Sequence, residues 1–113
     1  MSDAPVYLIT ANTIGRGDDE LGAILMRSLV KNLVAAETVP HALILMNAGV
    51  RLACEGSELL TDLEQLTDRG TELLSCGTCL DFYHLKDKLA AGSVGGMARF
   101  VELFTAHPVV TIG

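Results

Sequence analysis

Two cysteines, Cys76 and Cys79, stand three positions apart in the stretch SCGTCLDFYHLKDKL, residues 75–89. That spacing admits four chemistries. A dithiol can close to a disulfide and reopen, and a CxxC that follows a strand and enters a helix suits such a couple. Two thiolates can supply half of a tetrahedral zinc site, which needs two further ligands; only Cys54 and His84 are on offer, so no metal site and no cofactor is expected. A reactive thiolate can carry or sense sulfur. Finally, both cysteines can be small buried hydrophobes. A thiol at a helix start loses its proton more readily in the field of the aligned peptide dipoles, and Gly77 permits a tight turn there. Asp81 works against this, because a nearby carboxylate raises a thiol's pKa, while Lys86 and Lys88 can offset Asp81.

The elements that must position these thiols are legible as an alternation. PVYLIT (5–10), HALILMN (41–47), TELLSC (71–76) and HPVVTI (107–112) are short apolar runs bounded by Gly, Pro and polar residues, the pattern of strands buried on both faces. Between them lie helical stripes: Leu21, Ile24, Leu25, Leu29 and Leu33; then Leu59, Leu63 and Leu66 with Leu60 beside them; then Met97, Phe100, Val101 and Phe104. Asp18, Asp19 and Glu20 suit a helix N-terminus, Ser57 a cap and Gly70 a helix end. A short helix is expected from Cys79 to about Leu85, and Ser93–Val94 is a weak candidate for an extra strand. Strand-helix alternation implies right-handed βαβ units. The expected fold is a single α/β domain over 1–113: a three-layer, Rossmann-like sandwich with a mostly parallel sheet of four to five strands and helices on both faces. Met26, Val30 and Val34 form a second apolar stripe on the first helix, which implies either deep burial or a subunit interface.

Ligands of open parallel sheets bind outside the carboxyl ends of the strands. Three loops fall there. The first carries Asn12 and Thr13, the second Asn47 and Gly49, and the third Cys76, Gly77, Thr78 and Cys79. His41 and His107 precede their strands and belong at the opposite edge. TIGRGDDELG is not a phosphate loop: its glycines have the wrong spacing, no Lys-Ser/Thr follows, and three acids occupy the helix N-terminus where phosphate would bind.

Composition excludes other classes. Of 113 residues, 50% are apolar and 19% charged, and 14 acids against 8 bases give a net charge of -6. No clustered basic face exists for nucleic acid, and no apolar run reaches the ~18 residues of a membrane span. MSDAPVYLIT lacks a basic n-region, and three cysteines do not make a disulfide framework, so a cytoplasmic protein is expected.

TIGRGDDELG, NAGVRLACEGS, SCGTCLDFYHLKDKL and HPVVTIG together resemble the DsrE/DsrF-like superfamily. The likeness spans essentially the whole chain and is greatest to the C-terminal domain of YedF-type proteins, which are sulfurtransferase-like and linked to selenium metabolism. The resemblance implies a Rossmann-like α/β sandwich that assembles as a dimer, trimer or hexamer. It also implies a cysteine persulfide in the loop after the third strand. Cys76 matches that position, Cys79 is the second candidate and Cys54 the third. YedF-type proteins carry an N-terminal TusA-like domain, whereas this sequence opens almost at its first strand; it is either a standalone relative or a piece of a longer protein, and if standalone, a TusA-like sulfur donor is a separate protein. The expected function is a small sulfur-handling protein that accepts or relays sulfane sulfur, with Cys76 accepting, Cys79 resolving, and N–H groups near Gly77 and Thr78 steadying charge. The alternative is a non-catalytic oligomeric module with structural cysteines, whose pocket of Asn12, Thr13, Asn47 and Tyr83 holds a small ligand or a partner's tail.

Overall fold

The computed structural model describes residues 4–113; Met1–Asp3, part of the segment read against a secretory leader, lie outside the described residues. Five strands form one sheet: β1 (Val6–Ile9), β2 (Ala42–Leu45), β3 (Glu72–Cys76), β4 (Ser93–Gly95) and β5 (Val109–Ile112). All neighbours are parallel, in the order β4-β3-β2-β1-β5. Four α-helices connect them: α1 (Asp19–Ala35), α2 (Leu60–Asp68), α3 (Gly77–Phe82) and α4 (Met97–Ala106). A 3-10 helix, Asn47–Ala53, links β2 to α2. The weak strand candidate near Ser93 is therefore real, and it forms one edge of the sheet.

The layering follows from this order. The steps β1 to β2, β2 to β3 and β3 to β4 all move in one direction, so right-handed crossovers put α1, α2 and α3 on one face. The step β4 to β5 returns across the whole sheet and puts α4 on the other. Side chains agree: Arg99 of α4 pairs with Glu72 of β3 at 2.8 Å, and Phe100 packs beside Gly95 together with Leu74. Glu72, Leu74 and Cys76 alternate onto the same face, so Cys76 points to the α4 side. The result is the Rossmann-like three-layer sandwich expected from the sequence. No helix among the described residues is long and apolar enough to cross a membrane.

Helix ends carry the anticipated chemistry. Asp18 caps α1 by accepting the Leu21 N–H at 2.9 Å, and Asp19 and Glu20 occupy the first turn. Ser57 accepts the Leu59 N–H just before α2. At the other end of α2, the Thr71 N–H bonds the Leu66 carbonyl and the Gly70 N–H that of Thr67, the paired bonds of a Schellman ending.

Two readings of helix faces are corrected. On α1, Gly22, Met26, Val30 and Leu33 are buried, while Leu21, Ile24 and Leu25 are exposed. Periodicity alone could not choose between two apolar stripes. Gly22 decides: a Cβ there would come within 2.7 Å of the Thr13 Cβ, so this edge of the helix lies against the loop after β1. On α4, Phe100 and Leu103 are buried, but Met97 and Val101 are exposed. The third helix also begins earlier than expected, at Gly77, with Cys76 as its N-cap.

Phe100 is the largest fully buried side chain, and Phe100→Ala is expected to lower the unfolding free energy by about 3–5 kcal/mol. Ser75, in the middle layer, is also fully buried, and its hydroxyl has no hydrogen-bond partner among the described residues. Because an unsatisfied buried hydroxyl is costly, Ser75→Ala is expected to raise stability by about 1 kcal/mol. Urea unfolding monitored by circular dichroism measures both changes.

Candidate thiol site

At the carboxyl ends of β3 and β4 the chain leaves in opposite directions, to α3 on one face and α4 on the other. Such a switch point opens a crevice. Here it is a cleft of about 490 Å³ lined by Cys76, Gly77, Thr78 and Cys79 from the β3 side and by Gly95, Gly96 and Met97 from the β4 side. Met46, beyond β2, forms part of its wall, and Asp81 and Lys86 stand at its edge. A second cleft, of about 290 Å³, shares Thr78 and Cys79 and is completed by Asn47, Phe82 and Tyr83. Cys79 therefore lines both.

The three thiols differ sharply. Cys79 is half-buried, and its Sγ accepts the backbone N–H of Asn47 at 3.1 Å. Cys76, 7% exposed, lies deeper in the same cleft. Cys54 is buried and donates to the Val50 carbonyl at 3.2 Å; it lines neither thiol cleft. All three are free cysteines.

Electrostatics favour the protonated form of Cys79. Burial pushes its pKa up, its hydrogen bond with the Cys76 thiol adds to this, and the Asn47 N–H partly opposes it. The helix-start effect anticipated from the sequence does not prevail, because burial raises the pKa. Nor does Asp81 act alone, since it is paired with Lys86 at 3.3 Å. Cys54 is likewise raised, first by burial, with Arg51 opposing and Glu55 adding.

A polar relay backs Cys79. Asn47 adopts φ 51, a left-handed conformation that Asn tolerates, at the start of the 3-10 helix. Its side-chain carbonyl accepts the Tyr83 hydroxyl. The Tyr83 ring carries the Arg51 guanidinium 4.6 Å from its centre and meets Phe82 edge-on. The side chains of Arg51 and Tyr83 thus brace the residue whose N–H reaches the sulfur.

Of the residues singled out in the sequence, Cys76, Cys79, Gly77, Thr78, Asn47 and Tyr83 come together here. Asn12 and Thr13 do not. They follow β1, which β2 separates from β3; Asn12 lines a different cleft of about 330 Å³ with Arg27 and Arg51, and Thr13 packs against Gly22. Sequence reasoning missed Gly95, Gly96 and Met97 as wall residues, because they depend on β4, and it missed Arg51, whose role needs the placement of Tyr83. His41 and His107 stack at 3.8 Å between ring centres at the far edge of the sheet, as anticipated.

Two solved structures share this doubly wound α/β fold over nearly their whole length. One is a protein of unknown function, MTH1491, from Methanobacterium thermoautotrophicum, with 26% identity, a TM-score of 0.69, and coverage of 94% of this chain and 96% of that one. The other is the ychN protein from E. coli, with 19% identity, a TM-score of 0.68, and coverage of 96% and 99%. No protein-family model and no curated protein matches the sequence.

The thiol environments order the reactivities. Iodoacetamide under native conditions is expected to label Cys79 first, with Cys76 and Cys54 reacting only slowly. Because burial favours the protonated thiol, the pH midpoint for Cys79 should lie above the ~8.5 of an ordinary thiol and fall back to it in urea. Peptide mapping after timed alkylation reads both effects.

Proposed function

We propose that this protein accepts sulfane sulfur as a cysteine persulfide, with Cys79 as the receiving thiol and Cys76 as its partner. The observation that carries this reading is the pairing of one approachable and one sheltered thiol in the switch-point cleft, with a backbone N–H already directed at the outer sulfur. Attack by the Cys79 thiolate on the outer sulfur of a donor persulfide forms the Cys79 persulfide, breaks the donor's S–S bond and releases the donor thiolate, and the Asn47 N–H offsets charge at Cys79. The raised pKa of Cys79 lowers the thiolate fraction at neutral pH but leaves each thiolate more nucleophilic. The order of the two cysteines is thus the reverse of that implied by the family resemblance, because Cys76 is the less accessible.

The likeness to YedF-type proteins supports a sulfurtransferase-like role, and a TusA-like protein is a fitting donor. Phe82 and Met97, 77% and 56% exposed, stand on opposite sides of the thiols and offer apolar contact to such a partner. Assembly into a homo-oligomer is supported by the exposed Leu21, Ile24 and Leu25 of α1 and by Val109 and Val110 of the β5 edge. The free thiols suit a reducing compartment such as the cytoplasm.

In Cys76→Ala, incubation with glutathione persulfide is expected to add the mass of one sulfur, about 32 Da, to the intact protein. The adduct should be absent from the Cys76→Ala/Cys79→Ala double variant and unchanged when Cys54→Ala is added instead. Absence of any adduct in Cys76→Ala would overturn the reading.

A further inference from the structure

We propose that the thiol pair discharges bound sulfur reductively, as hydrosulfide, so that the protein is a sulfane-sulfur reductase as well as an acceptor. This rests on the persulfide reading above and names the fate of the sulfur.

The argument starts from backbone position. Cys76 is the N-cap of α3 and Cys79 is its third residue. Side chains at these two positions lie on the same side of a helix start, close enough that in a capping box each reaches the other residue's backbone N–H. Here both are thiols, and both line the same cleft. The third thiol, Cys54, is committed to the Val50 carbonyl and takes no part.

Exposure then assigns the roles. A donor meets Cys79 first, because Cys76 is only 7% exposed. Once Cys79 holds the extra sulfur, Cys76 needs no access to solvent, since its target is the adjoining Cys79 Sγ. The Cys76 thiolate attacks that inner sulfur. The Cys76–Cys79 S–S bond forms, the bond between Cys79 Sγ and the outer sulfur breaks, and the outer sulfur leaves as HS⁻ with the proton given up by Cys76. Over the cycle, a donor persulfide and two cysteine thiols become the donor thiol, one disulfide and one hydrogen sulfide. Two electrons pass from the thiol pair to the sulfane sulfur. A dithiol reductant must then reopen the disulfide, which places this protein between a persulfide-forming reaction and a dithiol-dependent reduction. The Asn47 N–H holds Cys79 Sγ, the sulfur that Cys76 attacks.

The test uses the reduced full chain with glutathione persulfide and no other reductant. Wild type is expected to lose about 2 Da as the disulfide closes and to release one sulfide per chain, measured by monobromobimane trapping. Cys54→Ala should behave as wild type, whereas Cys76→Ala should keep the added sulfur and lose sulfide release. Circular dichroism of Cys76→Ala and a parallel Cys76→Ser variant checks that each is folded, and retention of the sulfur in either folded variant suffices. A stable sulfur adduct on wild type, with no sulfide and no disulfide, would overturn this inference and leave the acceptor reading intact. No adduct on either folded Cys76 variant, and no sulfide from wild type, would overturn both.

Discussion

The direction in which the chain leaves β4 is the constraint on which the thiol site depends. Three residues, Ser93–Gly95, continue the parallel sheet beyond β3, and the next crossover must return over the opposite face to reach β5. That return requires α4 to start tight against the sheet. Gly95 permits it: a Cβ there would lie 2.8 Å from the Phe100 ring. Phe100 is in turn the largest side chain of the core. A bulkier residue at position 95 would lift Phe100, and with it Gly96 and Met97, which wall the cleft. Core packing and cleft shape are therefore one arrangement seen from two sides, and the mouth of the cleft is set by the hydrophobic contact beneath it.

Within that frame the three cysteines are graded by surroundings rather than by type. Cys54 shares the core with Leu52 and Ala53 and satisfies its S–H locally. Cys76 ends a buried strand and cannot move without disturbing the start of α3. Cys79, one helical turn on, meets the cleft from a short helix whose sequel, Tyr83, is tied through Asn47 to the loop after β2. Burial raises the Cys79 pKa, which restrains random oxidation by keeping the thiolate scarce. The same burial strengthens the single N–H contact it retains, since a hydrogen bond in a low-dielectric setting is worth more than one in water.

Much of this was legible in the sequence. The four short apolar runs, their order and the loops they end in all follow from the strand-helix alternation, and the CxxC at the close of the third run already pointed to the cleft after β3. What could not be read has identifiable causes. The strand at Ser93–Gly95 holds one apolar residue in three, so no periodicity announces it, yet it makes the crevice. The face of α1 was ambiguous because Leu21, Ile24 and Leu25 are as apolar as Met26 and Val30; a glycine's close approach to Thr13 settled it. Asn12 looked equivalent to Asn47, each following a strand, but strand order in the sheet is a tertiary property, and it separates them. The balance of influences on the thiol pKa required knowing that Lys86 folds back on Asp81.

These placements also bear on what can enter the cleft. The chain carries a net charge of -6, and two cations of this region are already engaged: Lys86 with Asp81, and Arg51 with the Tyr83 ring. A small inorganic anion would thus meet a surface whose positive groups are spoken for. The exposed groups flanking the cysteines are instead Phe82 and Met97, whose contacts are apolar. Recognition by burial of apolar surface suits a larger partner that brings its reactive sulfur on a side chain, because the area covered grows with the partner. Under the persulfide reading proposed above, charge and shape together favour a thiol-borne donor over a free sulfur anion. On the same reading, the depth of Cys76 leaves within its reach only sulfur already delivered to Cys79.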